Sequence, residues 1–484
     1  MSLVLKGGRV LDPGSMRDEV TDVLVDGGRV AAVGPGLTGD TELDVTGLVV
    51  GPGFIDLHSH VHSVAGQRLQ AFDGVTTALD LEAGLMPVAQ AYSDAAAEGR
   101  PLHYGFSASW GGARGAVLAG IDQEGSIVKG LSVLGDERWQ RSSTPRELAT
   151  WLDLLSRELA DGALGIGILQ GYAPRSDPAE FLAVARLAAD ARVATFTHVR
   201  ELVESDPTTP FDGSSEVVRA AAETGATMHH CHVNSTSRRH VDRVLETLAK
   251  SQAEGSAVSV EAYPYGAGST GIGAFFLAPE RLPAWGLEPS SIVVVTTGER
   301  IADEARLRQL RATEPGAAVI VEFLDEQDPV DRGYLERALA FPDAIVASDA
   351  MPVFFPHGSL ESRQWPLPPG GTTHPRTSGT YARALRMMVR ELGQWSWLEA
   401  FRRCSWLPAQ VLSFVPDAAR KGHLGVGADA DIVVLDPDAV TDLSTYTSPT
   451  IPSQGVRHLL VAGQPVVRNG VLVEDAFPGR PLRR

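Results

Sequence analysis

A His-x-His pair directly after a short apolar run is the clearest chemical signal in the chain. Residues 51–60 read Gly-Pro-Gly-Phe-Ile-Asp-Leu-His-Ser-His, so His58 and His60 close the run. In a β-strand, side chains two positions apart point to the same face, which places two imidazoles side by side. Neutral imidazoles are good ligands for divalent metals, and we predict that this pair binds one. His62 continues the alternation but falls where the strand already ends, which disfavours it.

Lone histidines and acids follow several later apolar runs in the same way. They are Glu82, His198, His232 and Asp349. Carboxyl ends of parallel strands meet at one edge of a sheet, so we predict one metal site assembled from several strand ends. His230 competes with His232 because the two share a strand face, whereas His229 points the other way in a regular strand.

Composition narrows the class of protein. The 484 residues are 43% hydrophobic and 21% charged, with a formal net charge of −18 and no Lys/Arg run. This balance argues against nucleic acid or an anionic membrane surface as a partner. Two cysteines give no disulfide framework. The start of the chain lacks a signal-peptide pattern and no window is apolar enough for a membrane span, so we predict a cytoplasmic protein.

The two ends of the chain share a strand texture. Residues 2–50 and 431–471 contain short alternating runs separated by turn residues, including Asn469-Gly470. We expect the two ends to pair in one small β-sandwich domain, formed by residues 1–52 and 416–484. Two separate β caps are the alternative.

The middle of the chain alternates strand-like and helical stretches. Residues 75–81, 162–168, 194–198, 226–232 and 344–349 are apolar runs, and helical patterns separate them. Repeated βα units of this kind predict an α/β fold, a distorted (β/α)8 TIM barrel over residues 53–415. Residues 285–342 are less regular and indicate an insertion. Each candidate ligand ends its strand, where barrel enzymes place their chemistry.

The chain resembles the amidohydrolase superfamily and, within it, the N-acyl-D-amino acid deacylases. The Tyr-Pro-Tyr-Gly-Ala-Gly-Ser-Thr block at 263–270 is specific to the deacylase branch, whereas the His-x-His and Ser348-Asp349 pieces mark the superfamily. The matching pieces span nearly the whole chain: 53–60, 74–77, 162–165, 197–200, 263–270, 348–349, 374–380, 407–409 and 427–431. The resemblance implies a metal-dependent hydrolase with a distorted barrel and a β-sandwich built from both termini.

The resemblance also implies roles for the site residues. His198 and His232 become further metal ligands, with His232 favoured over His230 because it occupies the family position. Asp349 becomes the general acid/base that takes a proton from the activated water and delivers it to the leaving amine. Without the family match, a helix N-cap would explain Asp349 equally well.

This chain differs from the families that it resembles in the residue that supplies the anionic metal ligand. Many amidohydrolases use a carboxylated lysine after barrel strand four, but residues 164–170 contain no lysine. The deacylases place a cysteine after the Gly-Val-Thr-Thr strand, and this chain has none there. Glu82 lies one place short of that cysteine, and we predict that its carboxylate binds the metal and is able to bridge two ions. The alternative is that Glu82 caps the next helix and that Asp80, or nothing, replaces it.

Substrate contacts follow from the same resemblance. Arg376 suits bidentate binding of the free α-carboxylate, and Tyr263 and Ser269 help to hold that group. Tyr172, after strand four, is a pocket residue. Asn234 stands where relatives often carry a lysine, which makes an acidic side chain a less secure substrate. His374 and His357 are expected to be loop residues.

The predicted reaction is hydrolysis of a linear amide: an N-acyl-D-amino acid and water give a carboxylate and a D-amino acid. One or two divalent ions, Zn²⁺ in the first place, are the implied cofactor. The partner is a small molecule, with no nucleic acid and no membrane; a homo-oligomer is one option for the assembly state. The alternatives are a cyclic amide hydrolase of the hydantoinase or dihydroorotase type, a dipeptidase, and a barrel scaffold without catalysis.

Overall fold

The computed structural model describes residues 2–131, 133–356 and 362–484. The chain forms two compact units. One comprises Met1–Leu79, Ala95–Gly105 and Ile345–Arg483, and the other comprises Asp80–Asp94, Phe106–Ala344 and Arg484. Among the described residues, no helix combines the length and the apolar character that a membrane crossing needs. His357 lies outside the described residues.

Eight parallel strands form one sheet in which each strand neighbours the next along the chain. From first to eighth, they are Phe54–Asp56, Val75–Leu85, His103–Ser109, Ile166–Leu169, Ala194–His198, Thr227–His230, Val258–Ala262 and Ile345–Val346. A parallel bridge between Ser59 and Ala350 joins the segments that follow the first and eighth strands, so the sheet is nearly closed. The predicted (β/α)8 barrel is confirmed.

Helices follow the strands, and polar caps set where several of them begin. The longer helices are Val64–Phe72, Val88–Glu98, Pro145–Ala160, Pro178–Ala191, Gly213–Thr224, Val241–Ala253, Glu304–Thr313, Pro329–Ala340 and Arg376–Leu385. Thr144 and Asp177 each form a capping box with the glutamate three residues on, and a proline follows each cap. These caps satisfy the first backbone N–H groups, so the loops before the helices have defined ends.

Both ends of the chain contribute to a second sheet, of nine strands. Its strands are Leu3–Asp12, Arg17–Asp26, Arg29–Gly34, Thr41–Asp44, Val49–Pro52, Ile432–Leu435, Val456–Val461, Gln464–Arg468 and Val471–Leu472. Val49–Pro52 joins the two ends, because it pairs with Leu3–Asp12 on one side and with Ile432–Leu435 on the other. Its core is aliphatic. The expected joining of the two termini is therefore confirmed.

The Gly51-Pro52-Gly53 link leads from this sheet into the first barrel strand. A Cβ at Gly51 would lie 2.2 Å from the Phe401 ring, and one at Gly53 would lie 2.2 Å from Thr76 Cγ2. Only glycine allows these close approaches. The link thus fixes the start of the strand that ends next to His58.

A third, antiparallel sheet lies in the second unit. Its strand order is Ala267–Gly271, Ala318–Glu322, Ile292–Val294. Two of these strands and the helix Glu304–Thr313 fall within the expected insertion, residues 285–342. The domain limits given above, 1–52 with 416–484 and 53–415, follow the sheets rather than the compact units and stay a prediction.

Candidate functional site

The predicted metal ligands form two groups of contacting side chains, one in each compact unit. The His58 cluster, in the first unit, consists of His58, His60, Asp349 and Arg376. The Glu82 cluster, in the second unit, consists of Glu82, His198 and His232.

In the His58 cluster, two imidazoles face a carboxylate. The Nε2 atoms of His58 and His60 lie 3.1 Å apart, and the rings meet edge to face. Asp349 Oδ1 lies 3.3 Å from His58 Nε2 and 3.5 Å from His60 Nε2. Arg376 Nη2 donates to the other carboxylate oxygen of Asp349 at 2.9 Å. One oxygen of Asp349 thus faces the imidazoles while the guanidinium holds the other.

Asp56, at the end of the first barrel strand, positions this cluster. Its Oδ1 accepts backbone N–H groups from His58 at 3.2 Å and Ser348 at 3.0 Å, and its Oδ2 accepts from Gln70 Nε2 at 3.0 Å and from the Ser348 hydroxyl. Burial raises the pKa of the Asp56 carboxyl to about 6. Asp56 therefore ties the segment that carries His58 to the segment that carries Asp349.

The backbone at Asp349 is strained. Its φ of +50° lies in the left-handed region, which is uncommon for residues other than glycine. The residue is buried, and the neighbouring Ser348 is bonded to Asp56. Held strain of this kind clusters at functional sites. A helix N-cap does not describe Asp349, because no helix begins in residues 350–355, the described stretch directly after it.

In the Glu82 cluster, one carboxylate oxygen faces two imidazoles. Glu82 Oε1 lies 2.7 Å from His232 Nε2 and 3.1 Å from His198 Nδ1. The side chain is buried and projects from within the second barrel strand, Val75–Leu85. Glu82 therefore does not cap the helix Val88–Glu98; the side chain of Glu158 accepts from Val88 N at 2.5 Å instead.

His230 and His232 point to different partners. The sixth barrel strand ends at His230, and His232 takes a left-handed φ of +32°. His230 Nε2 faces Ser214 Oγ at 3.0 Å, and burial lowers its pKa to about 3, so the ring is neutral. His232 turns its Nδ1 to Ser235 Oγ at 3.0 Å and its Nε2 to Glu82. Of the two, His232 is the one in the Glu82 cluster.

Three predicted substrate-binding residues belong to the second unit: Tyr172, Tyr263 and Ser269. The Tyr172 ring packs on His198 with centroids 4.6 Å apart. Tyr263 lies further away, its ring centroid 6.3 Å from that of His232. Ser269 lies in the strand Ala267–Gly271 and pairs with Ile320. In the first unit, Arg376 contacts Asp349, as described above.

The donors of both clusters suit a divalent cation such as zinc. The ligand atoms of Glu82, His198 and His232 all lie within 4.8 Å of one another, and all three side chains are buried or nearly so. In the His58 cluster, two imidazole nitrogens face each other and share a carboxylate oxygen. Imidazole nitrogen and carboxylate oxygen are both established zinc ligands, and carboxylates offset its charge.

Glu261 was not foreseen from the sequence, and it supports His232. Its Oε1 accepts the backbone N–H of His232 at 3.3 Å, and its Oε2 lies 2.9 Å from His229 Nε2. The other ring nitrogen of His229 lies 2.7 Å from Ser259 Oγ. The signal available in the sequence was an acid within the short apolar run at residues 258–262. Glu261 is thus a positioning residue for the strained His232 backbone.

We expect Glu261→Ala to weaken zinc binding by about 10-fold, because loss of an outer-shell partner of a ligand costs about 10- to 100-fold in metal affinity. Glu261→Gln, which keeps an oxygen for the His232 N–H, should recover part of that loss. Competition titration with a chromophoric chelator measures both variants. Glu158→Gln, at another buried glutamate, is the control and should bind zinc like the wild type. Equal affinity in Glu261→Ala and wild type would remove the positioning role.

Comparisons with known proteins identify the family. A family model described as the amidohydrolase family matches residues 226–467, half of the chain. The chain belongs to this family. A D-aminoacylase of Alcaligenes xylosoxydans xylosoxydans is 29% identical, covering 100% of this chain and 96% of the relative. An N-acyl-D-glutamate deacylase from the same organism is 27% identical, covering 100% and 97%.

A solved structure shares the fold of this amidohydrolase. The N-acyl-D-glutamate deacylase of Bordetella bronchiseptica, crystallised with zinc and a phosphonate inhibitor that mimics the tetrahedral intermediate, superposes with a TM-score of 0.78. It is 24% identical and covers 100% of this chain and 99% of its own. The likeness at this identity concerns the fold, and the barrel with its terminal sheet is common to both.

Proposed function

We propose that this amidohydrolase is a zinc-dependent deacylase that hydrolyses N-acyl-D-amino acids to a carboxylate and a D-amino acid. One observation carries the proposal: every imidazole and carboxylate of the two clusters lies within or just after a strand of a single parallel barrel sheet. Barrel enzymes build their sites at the carboxyl ends of the strands. The similarity to D-aminoacylase and N-acyl-D-glutamate deacylase over the full chain supports the substrate class.

Each cluster would hold metal through its own residues, with His58 and His60 as ligands in the first unit and Glu82, His198 and His232 as ligands in the second. Bound zinc lowers the pKa of water and polarises a carbonyl group. Glu82 takes the place of the cysteine that the resemblance implies, and a carboxylate with two oxygens is able to serve one ion or two. Metal analysis of the purified protein counts them.

Asp349 would move the proton. Its carboxylate accepts a proton from the attacking water as the water oxygen bonds to the acyl carbon. It then donates that proton to the amide nitrogen as the carbon–nitrogen bond breaks, so the amine leaves neutral. Arg376 orients the Asp349 carboxylate through its 2.9 Å contact.

In the first unit, Arg376 would bind a substrate carboxylate, and Tyr263 and Ser269 would be the carboxylate contacts of the second unit. A guanidinium offers several donors to a carboxylate in a fixed geometry. This role of Arg376 is compatible with its contact to Asp349, because the guanidinium carries five N–H groups.

The cytoplasm is the compartment that we propose from the sequence.

The test is a substrate panel on zinc-reconstituted protein. We expect release of free amine from N-acetyl-D-amino acids and at least about 100-fold less from their L-enantiomers, because a misplaced reacting group loses this much rate. Chelation should abolish activity, and added zinc should restore it.

Two results would contradict the proposal. Turnover of hydantoins or dihydroorotate alone would assign a cyclic amide hydrolase. Less than about half an equivalent of bound metal, with no activity gained from added zinc, would support the non-catalytic scaffold.

A further inference from the structure

We propose that Phe276 determines the side-chain specificity of this enzyme. Its ring forms, with Tyr172, an apolar wall for the substrate's side chain, and the wall favours apolar over acidic D-amino acids. The inference rests on the proposed deacylase function and names the substrates within it.

Three rings pack against one another beside the Glu82 cluster. The Phe276 ring is stacked on His198, with centroids 5.9 Å apart and an interplanar angle of 9°. It meets Tyr172 at 5.2 Å, and Tyr172 meets His198 at 4.6 Å. Phe276 is 5% exposed. A substrate group that lies next to His198 therefore meets aromatic carbon.

Further contacts hold the segment that carries Phe276 in place. Trp285 stacks on Phe276 with centroids 5.0 Å apart and an angle of 11°. The Arg238 guanidinium carbon lies 3.5 Å from the Trp285 ring centroid, a close cation–π contact. Arg311 Nη1 donates to the carbonyls of Ile272 and Ala274 at 2.6 and 2.7 Å. The ring position of Phe276 is thus set by the protein before any substrate binds.

Two arginines around this segment, Arg281 and Arg238, already have acidic partners. Arg281 Nη1 donates to Asp206 Oδ2 at 2.7 Å, and its guanidinium covers Phe275. Arg238 Nη2 lies 3.6 Å from Glu201 Oε2, and burial lowers the Arg238 pKa. Burial of a further carboxylate beside aromatic rings is costly when no cation is available for it. The local charge therefore disfavours aspartate and glutamate side chains.

Asn234 adds no charge to the same region. Its Oδ1 accepts the backbone N–H of Tyr263 at 3.2 Å, and its Nδ2 donates to the Tyr265 carbonyl at 3.4 Å. Both polar atoms of the Asn234 amide therefore form hydrogen bonds with the backbone of residues 263–265. A lysine here would bring a cation; the asparagine of this chain serves the backbone instead.

The position of the wall selects the side chain rather than the acyl group. Tyr172 OH lies 2.9 Å from Thr270 Oγ1, and Thr270 follows Ser269, a proposed anchor for the α-carboxylate. Phe276 comes six residues after Thr270 in the same segment. The side chain is bonded to the same carbon as the α-carboxylate, whereas the amide nitrogen separates the acyl group from that carbon, so anchoring the carboxylate at this strand brings the side chain to the wall first.

The experiment compares kcat/KM of zinc-loaded wild type and variants on N-acetyl-D-leucine, N-acetyl-D-alanine and N-acetyl-D-glutamate. We expect the wild type to favour leucine over glutamate by at least about 100-fold, and Phe276→Ala to lower the leucine-to-alanine ratio by about 10-fold. Phe276→Leu should restore most of the ratio. Phe275→Ala, at the neighbouring ring that faces Arg281, is the matched control and should leave it unchanged. Calorimetric binding of N-acetyl-D-leucine to metal-free protein repeats the comparison without turnover.

Three outcomes would overturn the inference while leaving the deacylase function intact. They are a wild-type preference for glutamate, an equal loss on leucine and alanine in both Phe276 variants, and a Phe276→Ala effect that follows acyl length when N-acetyl- and N-butyryl-D-alanine are compared. If only cyclic amides are hydrolysed, the deacylase function fails and this inference fails with it.

Discussion

Asp349→Asn should lower kcat by about 10³-fold, because a positioned general acid/base contributes about 10²- to 10⁴-fold. The amide keeps the size of the carboxylate but is not able to accept the proton from water. Asparagine tolerates a positive φ, so the strained backbone at +50° is retained. KM should change little, since the missing interaction belongs to the transition state. Steady-state kinetics on N-acetyl-D-leucine and zinc analysis of the same sample measure both effects.

Asp343→Asn is the matched control for this variant. Asp343 also has a positive φ, +58°, and it is exposed. The same chemical change there should leave kcat within about twofold of the wild type, as is usual for exposed positions. A kcat for Asp349→Asn within about 10-fold of the wild type, with full zinc content, would take the proton-transfer role away from Asp349.

The fold was largely predictable because apolar strand-like runs alternate with helical stretches along the middle of the chain. The strand Ala194–His198 coincides with the apolar run at residues 194–198, and the helix Pro178–Ala191 lies between this run and the preceding one. Terminal strands were predicted from alternating runs, and they pair as expected. Apolar runs followed by amphipathic stretches leave few alternatives to a barrel.

Strand periodicity predicted the geometry of the site less well than it predicted the fold. The first strand ends at Asp56, so His58 and His60 meet in the segment after it, where an isolated bridge from Ser59 to Ala350 replaces the regular strand. Likewise the sixth strand ends at His230, and the left-handed backbone of His232 breaks the alternation by which the two histidines would share a face. Positive φ at a non-glycine residue leaves no pattern in a single sequence.

The acids that support the predicted ligands could not be predicted from the sequence either. Asp56 and Glu261 each accept a backbone N–H from a predicted ligand, yet both stand in apolar strands like ordinary buried acids. Their partners lie in distant parts of the chain, such as Ser348 for Asp56. Spacing along a chain indicates which residues share a face, but it does not indicate which loops meet. Tertiary contacts decide these pairs.

Glu82→Gln should reduce zinc affinity by at least about 100-fold, the upper end of the loss that an outer-shell partner causes, because Glu82 would be a direct ligand. Glutamine keeps the shape of the side chain but removes the charge that offsets the cation. Glu82 Oε1 faces His198 and His232 at 3.1 and 2.7 Å, so the change leaves both imidazoles in place and alters only the anion between them. Chelator competition measures the affinity, and kcat at saturating zinc shows whether the remaining ligands suffice.

Glu82→Asp distinguishes the effect of the carboxylate charge on zinc affinity from the effect of side-chain length. It keeps the carboxylate but withdraws it by one methylene group, so zinc affinity should fall between those of the wild type and Glu82→Gln. Glu158→Gln again serves as the control, because this buried glutamate accepts from Val88 N. Wild-type zinc binding in Glu82→Gln would mean that the carboxylate only holds the two histidines by hydrogen bonds. The anion that replaces the cysteine of the relatives would then have to come from another side chain, and Asp80, two residues before Glu82, is the next to test.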